Sequence, residues 1–198
     1  MKSKSERTRQ FIIEQTAPVF NKKGYAGTSM SDLTEATGLT KGAIYGNFEN
    51  KDEVALAAFD FNAACVINGI RELQAKATTQ EEKLMSYVAF YRASLKNKIL
   101  PAGCPIANTV TEADDTHEQL NRKATDIVRR WRKNIVDIIE AGIGNGEFKK
   151  IVDVTAVASE IVVLIEGGVV LSKSTRDTSF LRHATDRVER IILQEIKA

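Results

Sequence analysis

The chain has 198 residues, of which 43% are hydrophobic and 27% are charged, an ordinary balance for a globular protein with a sizeable core in one larger or two small domains. The net charge of +2 excludes a polybasic nucleic-acid-binding chain, and two cysteines are too few for a disulfide framework. The basic residues are nevertheless concentrated, since residues 1 to 51 hold eight lysines and arginines against five acidic residues.

The sequence predicts a soluble cytoplasmic protein. Cys65 and Cys104 lack metal-ligand spacing, so we expect free thiols in a reducing compartment. The first ten residues lack the apolar segment of a signal peptide. The most apolar run, Ile161 to Leu171, contains Glu166 and is too short to span a bilayer, so no membrane association is expected.

In chain order, a first helix is predicted from about Ser5 to Lys22 or Lys23, where Gly24 ends it. A helix-turn-helix follows. Ser29 and Asp32 form a capping box for a short helix, and Gly38 provides its left-handed exit. Thr40 then caps a second short helix, predicted over residues 41 to 47.

The outer side of this hairpin is small, basic and rich in hydrogen-bonding groups, which is typical of a recognition helix in the DNA major groove. Its residues are Thr40, Lys41, Gly42, Ala43, Tyr45 and Asn47. Thr28, Ser29 and Lys51 lie at helix starts, where backbone amides and the helix dipole favour phosphate. The alternative is a capped hairpin within an ordinary helical domain.

The rest of the chain is predicted to be helical, giving an all-α fold of about nine helices. The expected helices are 4 (capped by Asn50 and Glu53, to about Lys76), 5 (Thr78 to Lys98), 6 (Pro105 to about Asp114), 7 (after a turn at residues 114–116, to the 142–146 region), 8 (Asp153 to about Ser172) and 9 (about Thr178 to Lys197).

Helix 8 is apolar nearly all round, so it must be covered on several sides. Gly167 and Gly168 would allow another helix to approach helix 8 closely. Helices 8 and 9 therefore predict a homodimer, in which these two helices of each subunit form a four-helix interface. The alternative is that helix 8 is the central helix of the monomer.

No catalytic residue, metal site or cofactor is predicted, because neither His117 nor His183 belongs to a catalytic motif. Cys104, after Gly103 at a helix start, is either a low-pKa thiol or a small buried residue. A loose acidic group could bind a metal, although a solvated loop is the favoured interpretation; it comprises Glu112, Asp114, Asp115 and His117.

Residues from about Arg7 to Phe59 resemble the N-terminal domain of the TetR family of bacterial transcriptional regulators. The matching positions are Phe20, Gly24, Tyr25, Thr28, Ser29, Met30, Leu33, Ala36, residues 38 to 42, Ile44, Tyr45, Phe48, Lys51 and Asp52. The resemblance implies a helix-turn-helix domain at residues 1–49 and an effector-binding and dimerisation domain at residues 50–198.

The resemblance also implies roles for individual residues. Phosphates would be held by Thr28, Ser29, Thr40, Lys41, Tyr45 and Lys51. Thr40, Gly42 and Ala43 would lie nearest the base edges, and Asn47 departs from the aromatic residue or histidine often found at its position. The implied partners are a double-stranded DNA operator and a small-molecule effector.

The predicted function is a ligand-responsive repressor that binds a palindromic operator as a dimer. The residues predicted to line its effector pocket, each of which could instead be core, are Phe61, Tyr87, Tyr91, Cys104, Asn108, Trp131 and Glu166. Two alternatives stay open, namely a small-molecule binding protein or enzyme with a vestigial helix-turn-helix, and a non-specific DNA-binding protein.

Overall fold

A computed structural model describes residues 3–97, 100–150 and 153–198. Its first helix, α1 (Lys4–Lys23), starts at a capping box, in which the Ser3 hydroxyl accepts the Glu6 amide and the Glu6 carboxylate accepts the Ser3 amide. Gly24, with φ 75°, ends α1 as predicted, because this backbone conformation favours glycine.

The described residues form nine α-helices, which confirms the all-α prediction. After α1 they are α2 (Met30–Thr37), α3 (Lys41–Tyr45), α4 (Lys51–Gln74), α5 (Gln80–Asn97), α6 (Pro105–Ala113), α7 (Glu118–Gly144), α8 (Val154–Thr175) and α9 (Ser179–Arg190). The predicted end of helix 5 at Lys98 lies outside the described residues.

The end of the last helix differs from the prediction. The α-helical pattern stops at Arg190, and residues Ile191–Ile196 form a π-helix. The backbone at this end of the chain also pairs with the segment after α7. Lys149 N donates to Ile196 O at 2.8 Å, and Ala198 N donates to Glu147 O at 3.0 Å. Such long-range pairing has no local sequence signal.

The chain divides into two compact units. The N-terminal unit comprises Met1–Val66 and Pro105–Thr125, and the C-terminal unit comprises Ile67–Cys104 and Asp126–Ala198. The division falls within α4, and α6 belongs to the N-terminal unit despite its later position in the chain. The functional boundary at residues 49 and 50 stays a prediction.

Each unit has its own apolar core. In the N-terminal unit the fully buried side chains include Ile12, Leu33, Ile44 and Val54. In the C-terminal unit α9 contacts α8 and α5. Gly168 permits the α8–α9 approach, because a β-carbon there would lie 2.8 Å from that of Ala184.

Two helices, α4 and α8, are long and apolar enough to cross a membrane by length and composition alone. The run that was expected to be too short lies within α8, which has 22 residues. Only 33% of an apolar stretch of 18 residues in α8 is buried within the chain. The surface of α8 therefore retains a large uncovered apolar face, and the core helix of a soluble protein meets the same length and composition criteria.

Candidate nucleic-acid interface and ligand site

The predicted helix-turn-helix is present. The capping box of α2 forms between Ser29 and Asp32, whose pKa is lowered to about 2 by its hydrogen bonds with Lys23 and Ser29. Gly38 adopts φ 66°, and the Thr40 hydroxyl accepts the Ala43 amide at 3.2 Å to start α3. These local signals were sufficient to place both helices.

Helix α3 is shorter than predicted. It ends at Tyr45 rather than Asn47, because Gly46 is a poor helix residue and the chain turns there. The Asn47 amide donates back to the Ala43 carbonyl at 2.9 Å. The Asn47 side chain therefore stabilises the end of α3.

The outer surface of α3 is open. Thr40, Lys41, Gly42 and Tyr45 are exposed, and Ala43 is half-buried. A β-carbon on Gly42 would meet only the Thr40 hydroxyl, at 4.0 Å. The protein itself does not obstruct this surface, so a nucleic acid could approach the backbone closely.

Thr28 does not fit its predicted phosphate contact. Its side chain is 1% exposed, and its hydroxyl donates to the Gly24 carbonyl at 2.5 Å. Burial of a hydroxyl requires such an internal partner. We therefore assign Thr28 to the stability of the turn between α1 and α2.

Lys51 lies at the start of α4, with its ammonium 4.3 Å from the centre of the Tyr25 ring. The Tyr25 hydroxyl donates to Asp52, and this hydrogen bond, together with burial, raises the pKa of Tyr25 to about 12. The ring position of Tyr25 is thereby fixed beneath Lys51. The capping box predicted here forms only in part, because Asn50 accepts the Glu53 amide whereas Glu53 accepts the Glu49 amide.

Arg9 connects α1 with the segment that follows α3, a role that the sequence did not indicate. Its guanidinium lies 4.0 Å from the centre of the Phe48 ring, and it donates to the Asn47 carbonyl and to the Glu53 carboxylate, the latter at 2.6 Å. These partners lie 38 and 44 residues away in the sequence. Arg9 thus fixes α1 against the segment between α3 and α4.

Glu112 holds the turn between α1 and α2. From α6 its carboxylate accepts the backbone amides of Tyr25 at 3.0 Å and Ala26 at 2.9 Å. The favoured interpretation of Glu112 as part of a solvated acidic loop was therefore wrong. Groups of three or more potential metal ligands are absent from the part of the chain that the structure describes.

We expect Gly24→Ala to destabilise the N-terminal unit by about 2 kcal/mol or more, because its backbone (φ 75°, ψ 175°) lies in a region essentially restricted to glycine, which costs an alanine about 1–3 kcal/mol. A new β-carbon would also lie 2.3 Å from the Glu112 carboxylate and displace it. Chemical denaturation measures the loss. Gly38→Ala is the control, because it shares a positive φ but has nothing within 4 Å, so an equal loss in both variants would contradict a role for Glu112.

Five of the seven predicted ligand residues lie together in the C-terminal unit. Trp131 stacks on both Tyr87 and Tyr91, with ring centres 5.8 and 5.9 Å apart. The Cys104 thiol donates to Glu166 Oε1 at 3.0 Å. Burial raises the pKa of Tyr91 well above its ordinary value, and the neighbouring Cys104 and Glu166 raise it further.

The other two predicted ligand residues, Phe61 and Asn108, belong to the N-terminal unit. There the Asn108 amide donates to the Asn21 side chain at 2.8 Å. The cavity beside Asn108 has a volume of about 30 Å³, enough for one or two water molecules. The structure therefore gives Asn108 a structural role in the N-terminal unit.

We expect Glu166→Gln to stabilise the protein increasingly as the pH rises. Burial raises the pKa of Glu166 to about 7, partly offset by the Cys104 hydrogen bond. The native carboxyl therefore binds protons more tightly than the unfolded one, so its contribution is complete below about pH 4.5 and is lost as the pH rises through 7.

The gap between variant and wild type in the free energy of unfolding should grow by at most about 3 kcal/mol across this window, since one pKa unit corresponds to about 1.4 kcal/mol. Urea denaturation at about pH 5 and pH 8 measures it. A gap that is the same at both pH values would show that the Glu166 carboxyl is not desolvated.

A capped helix-turn-helix with an open, basic outer surface, followed by a second helical unit, defines a DNA-binding regulator. Residues 12–58 match the family model described as "Bacterial regulatory proteins, tetR family", and residues 81–188 match "Tetracyclin repressor-like, C-terminal domain". The chain belongs to the TetR family of bacterial transcriptional regulators and is a ligand-responsive DNA-binding transcriptional regulator.

Similar proteins cover 90% or more of the chain. A TetR-family regulator from Cytophaga hutchinsonii is 45% identical, with a TM-score of 0.93 over 100% of this chain and 98% of that one. One from Chloroflexus aurantiacus is 34% identical, with a TM-score of 0.92 over 98% of each chain. An uncharacterised helix-turn-helix regulator from Lactococcus lactis is 26% identical over 90% of each chain.

Regulators of this family are soluble cytoplasmic proteins that bind DNA operators, typically as dimers with small-molecule effectors. They are generally not enzymes.

Proposed function

We propose that this protein is a cytoplasmic homodimeric repressor that binds an operator of twofold symmetry and is released by a small molecule bound in its C-terminal unit. The open outer surface of α3 is the observation that carries the DNA-binding part. Repression agrees with the repressor-like family model matched by residues 81–188.

The proposed DNA contacts are those predicted residues whose polar groups are accessible at the protein surface. Lys41, Tyr45, Ser29 and Lys51 would hold phosphates, because their polar groups lie at helix starts or on the outer surface. Gly42, with Thr40 and Ala43 beside it, would face the base edges. These contacts would orient α3 in the major groove, and twofold symmetry would place a second α3 about one helical turn away.

The proposed dimer interface is the uncovered face of α8 together with α9. Val163, Gly167, Val170 and Leu171 share one side of α8, and Val163 is 69% exposed. Phe180 at the start of α9 is 39% exposed. An apolar stripe that contains a glycine permits two copies of α8 to pack closely across a twofold axis, which would form a four-helix interface.

The proposed effector site is the cluster of Tyr87, Tyr91, Cys104, Trp131 and Glu166. Its coupling to DNA would use α6, which starts directly after Cys104 and holds the α1–α2 turn through Glu112. A ligand that moves Cys104 would thereby shift the population of DNA-competent conformations.

Replacing Lys41 with alanine should weaken binding to every duplex and reduce the slope of log affinity against log salt by about one unit per protomer, because one phosphate contact releases about 0.9 counterions. Salt-titrated fluorescence anisotropy on a random duplex measures the slope. Lys133→Ala is the control, since that exposed lysine pairs with Asp137 on α7. An unchanged slope for Lys41→Ala would remove Lys41 from the proposed phosphate contacts.

A further inference from the structure

The C-terminal unit contains buried polar atoms that lack hydrogen-bond partners among the described residues. They are the Tyr91 hydroxyl, Trp131 Nε1 and Glu166 Oε2. Tyr91 is 0% and Trp131 is 8% exposed, and their rings stack at 5.9 Å. Each unpaired buried polar group costs about 1–3 kcal/mol, so three around one pair of rings favour a site completed by a ligand.

The unpaired acceptor in this group is a carboxylate oxygen. The other Glu166 oxygen accepts the Cys104 thiol. Among ion pairs within the described ranges, none involves Glu166. Burying a carboxylate without a cationic partner is unfavourable, and a cation supplied from outside would remove that cost.

The Trp131 indole N–H and the Tyr91 hydroxyl define the rest of the ligand. The indole N–H only donates, so it needs an acceptor atom such as an ether or carbonyl oxygen, whereas the hydroxyl can donate or accept. The stacked rings of Tyr87, Trp131 and Tyr91 supply an apolar wall. An anionic ligand would be repelled by Glu166, and a neutral apolar ligand would leave Oε2 unpaired.

We propose that the effector is an organic cation, with a basic nitrogen that binds Glu166 and an apolar body that contacts the Tyr91–Trp131 wall. This inference rests on the proposed function for the location of the effector site. It adds the chemical class of the ligand and makes Glu166 the residue that selects for positive charge.

The test compares three probes that share a phenylbutyl body, namely phenylbutylammonium, phenylbutanol and phenylpentanoate. The chain has one tryptophan, so intrinsic fluorescence of the full-length protein reports on Trp131 directly. The variants are Glu166→Gln and, as a control for removal of one surface carboxylate, Glu140→Gln on the exposed side of α7.

We expect wild type and the control variant Glu140→Gln to bind the cation at least about tenfold more tightly than the alcohol, and to bind the anion most weakly. Glu166→Gln should bring the affinities for cation and alcohol within about twofold of each other, because the variant lacks the carboxylate that binds the cation. Equal binding of all three probes, no binding of the cation, or a preference that survives Glu166→Gln would overturn the proposal.

The same samples separate this inference from the proposed function. Trp131 titrations are performed without DNA, so cation selection can be measured even if the protein does not repress. Duplex anisotropy is then recorded with and without phenylbutylammonium. DNA binding without cation selection would overturn only the inference, whereas cation selection without DNA binding would contradict the proposed function.

Discussion

Val163→Glu is expected to convert the protein into a monomer and to reduce operator affinity by about 100-fold or more. The twofold axis would bring a new carboxylate from each protomer into the same apolar interface, and burying unpaired like charges costs several kcal/mol. Operator affinity falls because each monomer contacts one half-site. Sedimentation velocity measures the oligomeric state, and anisotropy measures DNA binding.

The fold of the protomer should survive this change, because Val163 is 69% exposed and exposed substitutions usually alter stability by about 0.5 kcal/mol or less. Ala141→Glu on the exposed surface of α7 is the matched control and should stay dimeric. A Val163→Glu protein that remains dimeric would show that α8 does not form the interface.

Gly42→Leu is expected to reduce operator affinity by about 100-fold while leaving the protein as stable as wild type or more so. A side chain at Gly42 meets nothing closer than 4.0 Å within the protein, and leucine favours a helix by up to about 1 kcal/mol over glycine. In the complex it would separate α3 from the base edges, where each lost bidentate contact costs about 1–3 kcal/mol.

Thermal unfolding and operator anisotropy, measured on one preparation, separate the two effects. Gly144→Leu is the control, because a side chain there likewise meets no close neighbour but lies at the end of α7. Gly42→Ala should fall between wild type and Gly42→Leu. Unchanged operator affinity for Gly42→Leu would exclude the outer surface of α3 from the base contacts.

The helix-turn-helix could be predicted because its signals are local. Ser29 with Asp32, Gly38 and Thr40 each act within four residues, and the structure shows each of them in its predicted role. The functions of Arg9 and Glu112 could not be predicted, because their partners lie 38 to 87 residues away. No pattern in the sequence encodes such pairings.

Predictions for individual site residues depended on burial, which the sequence does not show. Thr28 lies at a helix start, as the predicted phosphate contact requires, yet its hydroxyl donates to the Gly24 carbonyl. Asn108 matched the composition of a ligand pocket but is bonded to Asn21 in the N-terminal unit. The aromatic residues and Glu166 of the predicted pocket lie near each other in the C-terminal unit, and their role in binding an effector stays a prediction.

Selection of duplexes from a randomised library by the purified full-length protein tests the central claim most directly. A sequence-specific dimeric regulator should enrich one inverted repeat, with half-sites spaced by about one helical turn or a multiple of it, and bind it about a thousandfold or more tightly than a scrambled duplex. Enrichment of no common sequence, with equal salt-sensitive affinity for all duplexes, would contradict the account and indicate non-specific DNA binding.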